Sequence, residues 1–272
     1  MNGTKIRLLI LLLIFGLFCL SCGRGGAGAG KDQHTVTIAG STSVMPFTEK
    51  LAEYFMLENP DYIVEVQGGG STAGVQACMN YTVDIGMSSR HLKDNEKALT
   101  DVTICNDGIA IVVNPGNPLD TLTIEQIRGI FNGRIKNWKD LGWIDREIDA
   151  VSREEGSGTR GSFEDLIMNK LEIDDGIMVQ DSNGSVKEVI ATDPYAIGYI
   201  SLGLLDGRVK GLAVNGVSPT MENIKSGDYE IVRPFLYLTN GEPDECARTF
   251  IDFVLSMEGQ TILQKEGLID IL

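Results

Sequence analysis

The sequence is poor in the residues that commonly carry out enzyme chemistry. It has 272 residues, of which two are histidines and five are cysteines. No His, Cys, Asp and Glu cluster has metal-ligand spacing, no G-x-S-x-G motif indicates a nucleophile elbow, and "GSGTR" lacks the lysine of a P-loop. We therefore expect no catalytic residues, no metal and no cofactor.

Positive charge is also scarce. Lys and Arg number 23 against 38 Asp and Glu, which gives a formal net charge of −15. This balance argues against nucleic acid as a partner, because nucleic-acid-binding faces are usually basic. It does not argue against a small anion, because backbone N–H groups and helix N-termini can make a pocket locally positive.

The beginning of the chain has the pattern of an export signal. Lys5 and Arg7 precede an apolar run, Leu8 to Leu20, that is shorter than the roughly 20 residues of a transmembrane helix. Residues 1–21 are therefore predicted to be a signal peptide.

Lipidation is expected directly after this signal. In "LSCG", Cys22 follows the small residue Ser21, as in bacterial lipoproteins, although Cys19 stands where that pattern prefers leucine. Ordinary secretory cleavage is the alternative. Residues 22–33 are Gly-rich and predicted to be a flexible tether. We expect a protein of the cell envelope, lipid-anchored to the membrane and facing the periplasm or the extracellular side.

From residue 34 onward, strand-like and helix-like stretches alternate, which predicts α/β architecture with a largely parallel sheet. Long apolar β segments near residues 112 and 232 could be two passes between lobes. The predicted domains are lobe I, residues 34–113 plus 232–272, and lobe II, residues 114–231.

Three strand ends share one pattern, in which a strand stops near Gly, Ser or Thr follows, and a helix begins. The segments are "TVTIAG-STS", "IVEVQGGG-STAG" and "IDAVSREEG-SGTRGSF". Helix N-termini have unpaired N–H groups and a positive dipole end. Each start alone could be ordinary capping, but three that converge at the carboxyl ends of strands would form an anion site.

Arg153 lies within the third of these segments. Its guanidinium is suited to bidentate contact with a tetrahedral oxyanion. Glu155 is expected to hold the guanidinium in place, unless the two residues form only a surface ion pair. Cys78, Cys105 and Cys246 could include one disulfide, and at least one of them is expected to be a buried free thiol.

Six segments in this order resemble the phosphate-binding proteins of bacterial phosphate ABC transporters in their shorter lipoprotein form. They are "AGSTSVMPF", "VQGGGSTAGVQ", "TVDIGMSSR", "SREEGSGTRGSFE", "AIGYISLG" and "FIDFVLSMEGQTILQKEGLI". The resemblance spans roughly residues 35–270. It implies a two-lobed periplasmic-binding-protein fold in which two hinge strands join mainly parallel sheets flanked by helices. It also implies closure on phosphate and delivery to a permease and an ATPase.

The resemblance also implies site residues. The phosphate-contacting arginine matches Arg153, and its orienting carboxylate matches Glu155. The remaining ligand positions match Ser41, Thr42, Ser43, Val44, Ser71, Ser157, Gly158 and Thr159. Well-known members carry an aspartate that accepts the phosphate proton. Here Ser89 occupies that position with Arg90 beside it, and we include both in the expected site.

We therefore expect an extracytoplasmic lipoprotein that binds inorganic phosphate for an ABC importer. Another tetrahedral oxyanion, sulfate or molybdate, is the alternative within this class. A secreted hydrolase or phosphatase, and a sensor or adhesin that keeps the fold without transport, are the alternatives from other classes.

Overall fold

The structure is a computed structural model that describes residues 33–169 and 171–272. The predicted signal peptide, the lipid-anchor cysteine Cys22 and the tether up to residue 32 lie outside the described residues. No helix within the described ranges is both long and apolar enough to cross a membrane.

The strands and helices alternate as the sequence pattern predicts. The strands are β1 His34–Gly40, β2 Tyr62–Gly68, β3 Ile85–Ser88, β4 Thr100–Val113, β5 Thr121–Leu122, β6 Asp149–Arg153, β7 Met178–Gln180, β8 Ala196–Ser201, β9 Lys210–Gly211, β10 Ala213–Val214 and β11 Val232–Thr239. The helices are α1 Met45–Glu58, α2 Ser71–Met79, α3 Ile124–Phe131, α4 Gly158–Phe163, α5 Asn183–Thr192, α6 Met221–Ser226, α7 Glu245–Leu255 and α8 Met257–Lys265. Helix α4 continues directly into a π-helical turn, Glu164–Met168.

The main sheet of the described chain runs in the order β2-β1-β3-β11-β4-β8-β6-β7, with β9 paired to β4. Its two ends are parallel, since β1 pairs in parallel with β2 and β3, and β6 with β7 and β8. The centre is antiparallel, because β11 runs against β3 and β4, and β4 runs against β8. The sheet is therefore mixed rather than largely parallel, and the two long segments noted in the sequence account for the difference.

Strand β4 belongs to both halves of the molecule. Its residues up to Gly108 pair with β11, and its residues from Ile109 onward pair with β8. We call the half built on β2, β1, β3, β11 and the first part of β4 lobe I, and the half built on β8, β6 and β7 lobe II. The lobe limits given from the sequence stay a prediction; along β4 the change of partner falls at Gly108 and Ile109.

Each lobe has its own apolar core. In lobe I, α1 buries Phe47, Leu51 and Phe55 on one face of its 3.6-residue period. In lobe II, Phe163 stacks on Tyr199 with ring centroids 4.0 Å apart. These cores fix the strand ends that carry the polar loops.

A close backbone approach sets helix α2 against the end of β1. A Cβ built on Gly74 would lie 2.7 Å from the Cα of Gly40 and 2.7 Å from the carbonyl oxygen of Met87. Only glycine fits at position 74, so the first turn of α2 lies directly against the end of β1.

Candidate functional site

The three predicted loops, after β1, β2 and β6, meet between the lobes. The Ser41 hydroxyl donates to Ser89 Oγ at 2.8 Å, and both belong to lobe I. Ser43 Oγ and Thr159 Oγ1 lie 2.8 Å apart and join the first loop to the third. All four side chains are buried. The sequence pattern of strand end, small polar residues and helix start therefore predicted which loops converge.

The second loop completes this hydroxyl cluster. Ser71, the first residue of α2, accepts a hydrogen bond from the backbone N–H of Ser89 at 3.0 Å, and the two hydroxyl oxygens are 3.3 Å apart. Ser157 is the N-cap of α4, and its hydroxyl accepts from the N–H of Arg160 at 3.2 Å. A capping hydroxyl keeps its own proton free to donate.

Arg153 is a fully buried arginine at this place and is 1% exposed. Its Nε and Nη2 donate to the Glu154 carboxylate at 3.0 and 3.1 Å, and Nη2 also donates to Thr42 Oγ1 at 3.2 Å. Within the described part of the chain, Nη1 is buried and has no hydrogen-bond partner. An unpaired buried guanidinium N–H costs about 1–3 kcal/mol, and an anion would remove that cost.

The expected role of Glu155 is wrong. Glu154, not Glu155, pairs with the Arg153 guanidinium, while Glu155 is exposed and lies electrostatically close to Arg160. The physical reason is the direction in which each glutamate side chain points after the end of β6. Arg153 is the last residue of β6, and the carboxylate beside it in the chain reaches Nε and Nη2 together.

Arg90 also differs from expectation, because its guanidinium faces a carboxylate away from the hydroxyl cluster. Its Nη1 and Nη2 donate to Glu96 at 2.7 and 2.9 Å, and Nη1 donates to the carbonyl of His91. The hydrogen bonds from Arg90 lower the pKa of Glu96. Its Nη2 also donates to Thr72 Oγ1 at 3.4 Å, so Arg90 is held by a local ion pair and by the residue after Ser71 rather than by the clustered hydroxyls.

Val44 does not bring its side chain to the hydroxyl cluster. Its side chain is fully buried in the apolar core of lobe I, and its N–H donates to the carbonyl of Ser41 at 3.1 Å. The remaining predicted residues lie at or beside the cluster, although their contacts with a ligand stay a prediction: Ser41, Thr42, Ser43, Ser71, Ser89, Arg153, Ser157, Gly158 and Thr159.

Sequence analysis missed a second buried arginine. Arg233 on β11 pairs with Asp107 on β4, with Nε and Nη2 at 3.2 and 3.0 Å from Oδ2, and both side chains are at most 1% exposed. Its Nη2 also donates to Ser43 Oγ and its Nη1 to the carbonyl of Ser89, each at 3.2 Å. Part of the signal was present, because Arg233 is the one charge in β11 and Asp107 directly precedes the apolar run of β4, whereas their register pairing appears only in the folded sheet.

A buried amide was missed as well. Asn183, the first residue of α5, donates from Nδ2 to Ser43 Oγ at 2.9 Å. Its N-cap Ser182 is an ordinary helix-start signal, so nothing in the local sequence distinguishes this amide from a capping-region residue.

The electrostatics of the site favour donors over acceptors. The two carboxylates described here, Glu154 and Asp107, are each occupied by an arginine. Burial raises the pKa of the Asp107 carboxyl, and the charge of Arg233 opposes that rise. The described residues contain no group of three or more His, Cys, Asp or Glu that could hold a metal ion. Hydroxyls and guanidinium N–H groups can hold an oxyanion without catalysing a reaction on it.

Cys78, Cys105 and Cys246 are free thiols in the structure, and the first two are buried. Burial raises the pKa of the Cys105 thiol well above its usual value. The expectation of at least one buried free thiol is confirmed, and the possible disulfide is absent among these three described residues.

Comparison with known proteins gives consistent results. A family model described as PBP superfamily domain matches residues 25–258. The "Phosphate-binding protein PstS" of Bacillus subtilis (strain 168) is 34% identical over 100% of this chain and 95% of its own length. That of Borreliella burgdorferi is 32% identical over 88% of this chain and 91% of its own length.

Solved structures agree with these sequence matches. A Clostridium perfringens structure described as a phosphate ABC transporter substrate-binding protein with bound phosphate has a TM-score of 0.85 and 42% identity, covering 88% of this chain and all of that one. An ABC-type phosphate transport receptor from Vibrio cholerae has a TM-score of 0.72 and 39% identity, covering 86% of this chain and 99% of that one. The family match over most of the chain and the 34% identity to a relative over the full length of this chain therefore place it in the PBP superfamily, in the family of the phosphate-binding proteins PstS.

Proposed function

We propose that this protein binds inorganic phosphate outside the cytoplasm and delivers it to an ABC importer. The observation that carries the proposal is Arg153, whose buried Nη1 has no partner among the described residues while the rest of its guanidinium is held by Glu154 and Thr42. An oxyanion beside it would also meet the hydroxyls of the three loops. The names of the PstS relatives support phosphate as that anion.

Calorimetric titration of the purified chain with phosphate, sulfate and molybdate tests the proposal. We expect phosphate to bind with the highest affinity. Arg153→Ala should weaken binding by about 3 kcal/mol, which is more than a hundredfold, and Arg153→Lys should restore only part, because an ammonium cannot reproduce the planar fork. Arg248→Ala, which removes an exposed arginine, is the control.

Sulfate or molybdate is the second candidate, and one observation favours it. Ser89, rather than a carboxylate, stands in the cluster, and both nearby carboxylates are already paired with arginines. A site without a free acceptor discriminates weakly against an anion that has no proton. A higher affinity for sulfate or molybdate than for phosphate would reject the proposal in favour of this candidate.

We also propose that the protein has no hydrolase activity. In the described structure neither histidine reaches the hydroxyl cluster: His34 contacts Cys246 Sγ at 3.5 Å, and His91 is exposed. Serine hydroxyls without an adjacent base are weak nucleophiles. Release of product from a chromogenic phosphate ester by the purified chain would contradict this.

Lipid anchoring through Cys22 stays a proposal drawn from the sequence, and it accounts for how a body without a described membrane-spanning helix would stay beside a permease. Acyl chains on Cys22 would supply the membrane attachment, and stable anchoring takes more than one of them. Replacing Cys22 removes the residue that would carry them. Cys22→Ala should therefore move the protein from the membrane to the soluble fraction and remove the mass of the lipid. Unchanged membrane retention and mass would contradict it.

A further inference from the structure

The Asp107–Arg233 pair joins β4, the strand that both lobes share, to β11 of lobe I, and several hydrogen bonds orient it. Arg233 and Asp107 are opposite each other in the β11–β4 ladder. Asp107 Oδ2 accepts from Arg233, and Asp107 Oδ1 accepts from the backbone N–H of Gly203 at 3.2 Å. Nε and Nη2 of Arg233 both donate to Asp107 Oδ2, and Nη1 donates to the carbonyl of Ser89, so all three nitrogens hold the guanidinium in this orientation. That orientation brings its Nη2 to Ser43.

Asn183 reaches the same hydroxyl from lobe II, and its orientation is also determined. Its Oδ1 accepts from the backbone N–H of Ser201 at 3.1 Å, so its Nδ2 must be the atom that faces Ser43 Oγ. A backbone N–H can only donate, which excludes the flipped amide.

These two donors determine what the Ser43 hydroxyl can do. A hydroxyl has two acceptor lone pairs and one proton. Arg233 and Asn183 occupy both lone pairs, so the Ser43 proton is directed to the remaining partner, Thr159 Oγ1, 2.8 Å away. Thr159 then accepts from Ser43, and its own proton is left to donate. If only one of these donors were present, Ser43 would keep a free lone pair that could accept from Thr159, and the direction of the Ser43–Thr159 hydrogen bond could reverse.

The hydroxyls on the lobe I side have fewer fixed donors than Ser43. Ser41 Oγ accepts from the backbone N–H of Ser43 at 3.2 Å and Ser71 Oγ from that of Ser89 at 3.0 Å, so each keeps one lone pair that no N–H group occupies. Ser41 donates to Ser89, and Ser89 lies beside Ser71, but each of these three groups can rotate to give or to accept a proton. The two groups of hydroxyls therefore differ. The Ser43-to-Thr159 bond has one direction because two N–H groups occupy both lone pairs of Ser43, whereas the bonds among Ser41, Ser71 and Ser89 can reverse because each of these hydroxyls keeps a lone pair that no N–H group occupies.

We propose that Arg233, anchored by Asp107, is a positioning and specificity residue of the anion site, which fixes the Ser43-to-Thr159 hydrogen bond so that Thr159 faces the ligand only as a donor. The inference rests on the proposed oxyanion-binding function. This half of the site selects an oxyanion oxygen without a proton. Any protonated oxygen of the ligand is directed to the hydroxyls of Ser41, Ser71 and Ser89, whose hydrogen bonds can reverse.

The test is a double-mutant cycle on phosphate affinity with Arg233→Met and Thr159→Val, measured by calorimetry on the full chain. Arg233→Met is expected to weaken phosphate binding roughly 10- to 100-fold. In the Thr159→Val background the same change should have a clearly smaller effect, because no threonine proton remains to be directed. Equal effects in the two backgrounds, or an unchanged affinity of Arg233→Met, would overturn the proposal.

Two further variants separate positioning from folding. Arg90→Met removes another buried guanidinium with a carboxylate partner, at 6% and 5% side-chain exposure for Arg90 and Glu96, but one that does not contact Ser43. It should lower the melting temperature while phosphate affinity stays close to that of the unmodified chain. If Arg90→Met loses as much affinity as Arg233→Met at an equal drop in melting temperature, the effect is structural and the proposal is wrong.

Should Arg233→Met fail to fold because Asp107 is left as an unpaired buried charge, the combined variant Asp107→Asn with Arg233→Met replaces it in the cycle. The proposed function can fail separately. If the unmodified chain binds sulfate or molybdate instead of phosphate, the phosphate proposal is rejected, and the cycle is run on the anion that does bind.

Discussion

At the residue scale, two adjacent glutamates have different environments. Glu154 accepts two hydrogen bonds from Arg153, while Glu155 is exposed to solvent. Both follow the arginine closely in "SREEG", and spacing alone does not decide between them. The strand end and the turn after it direct one carboxylate to the guanidinium and the other outward.

Glu154→Gln is expected to weaken phosphate binding roughly tenfold, because the amide keeps the shape of the side chain but loses the charge-assisted bonds that orient Arg153. Calorimetric titration measures the change. Glu155→Gln is the matched control and should change the affinity less than about threefold, as for an exposed charge. Equal losses in the two variants would contradict the assignment of Glu154.

Ser89→Asp is expected to sharpen the rejection of sulfate. The carboxylate would accept from Ser41 and could not rotate to donate, so it would need a proton from the ligand, which phosphate has and sulfate lacks. The ratio of phosphate to sulfate affinity should rise at least roughly tenfold in competition titrations. Ser89→Asn, whose amide can donate, should leave that ratio nearly unchanged. If the unmodified chain shows no sulfate binding at all, an acceptor exists elsewhere and this interpretation of Ser89 is wrong.

At the element scale, the start of α4 packs against lobe I so closely that no side chain fits at Gly158. A Cβ on Gly158 would lie 2.2 Å from Ser71 Oγ and 2.5 Å from Ser89 Oγ. Close by, the backbone N–H of Thr72 on α2 donates to the carbonyl of Gly156 at 3.0 Å. The two helix starts therefore approach through backbone and hydroxyls alone.

Gly158→Ala is expected to weaken phosphate binding roughly tenfold to a hundredfold while the protein stays folded, because separating the lobes relieves the clash with Ser71 and Ser89. Titration together with thermal unfolding measures both properties. Gly156→Ala is the control, since a Cβ there would meet only Thr72 Cβ at 3.8 Å, an ordinary contact. An unchanged affinity of Gly158→Ala would show that the helix start does not need this close fit.

At the scale of the whole molecule, side chains of the two lobes contact each other directly across the site. Arg153 of lobe II donates to Thr42 of lobe I, and the Ser162 hydroxyl donates to the carbonyl of Ser89 at 3.2 Å. These contacts are polar, whereas each lobe has its own apolar core, and among the described residues β4 is a strand that both lobes share. This arrangement suits hinge motion about that strand.

Phosphate is therefore expected to close the lobes, and the radius of gyration from small-angle X-ray scattering should be smaller with saturating phosphate than without it. Arg153→Ala, measured at the same phosphate concentration, should keep the larger value because it lacks the guanidinium that bridges ligand and lobes. Identical scattering profiles of the unmodified chain with and without phosphate would contradict closure.

Much of the fold and part of the site follow from local rules in the sequence. Alternating hydrophobicity, glycines at strand ends and serine or threonine at helix starts predicted β1, β2, β6 and the helices after them, because these signals depend on neighbours only a few residues away. The ligand loops could be assigned for the same reason, and the motif resemblance assigned Arg153 within them.

Side-chain direction and strand register were decided only by the tertiary structure. The partner of Arg233 is 126 positions away in the chain, and the pair forms because β11 and β4 align those two residues. Arg90 lies next to Ser89 in the sequence, yet it turns to Glu96 and leaves the cluster. Sequence spacing gives the distance between residues along the chain, whereas a buried charge finds its partner through the packing of the elements around it, and that packing exists only in the folded molecule.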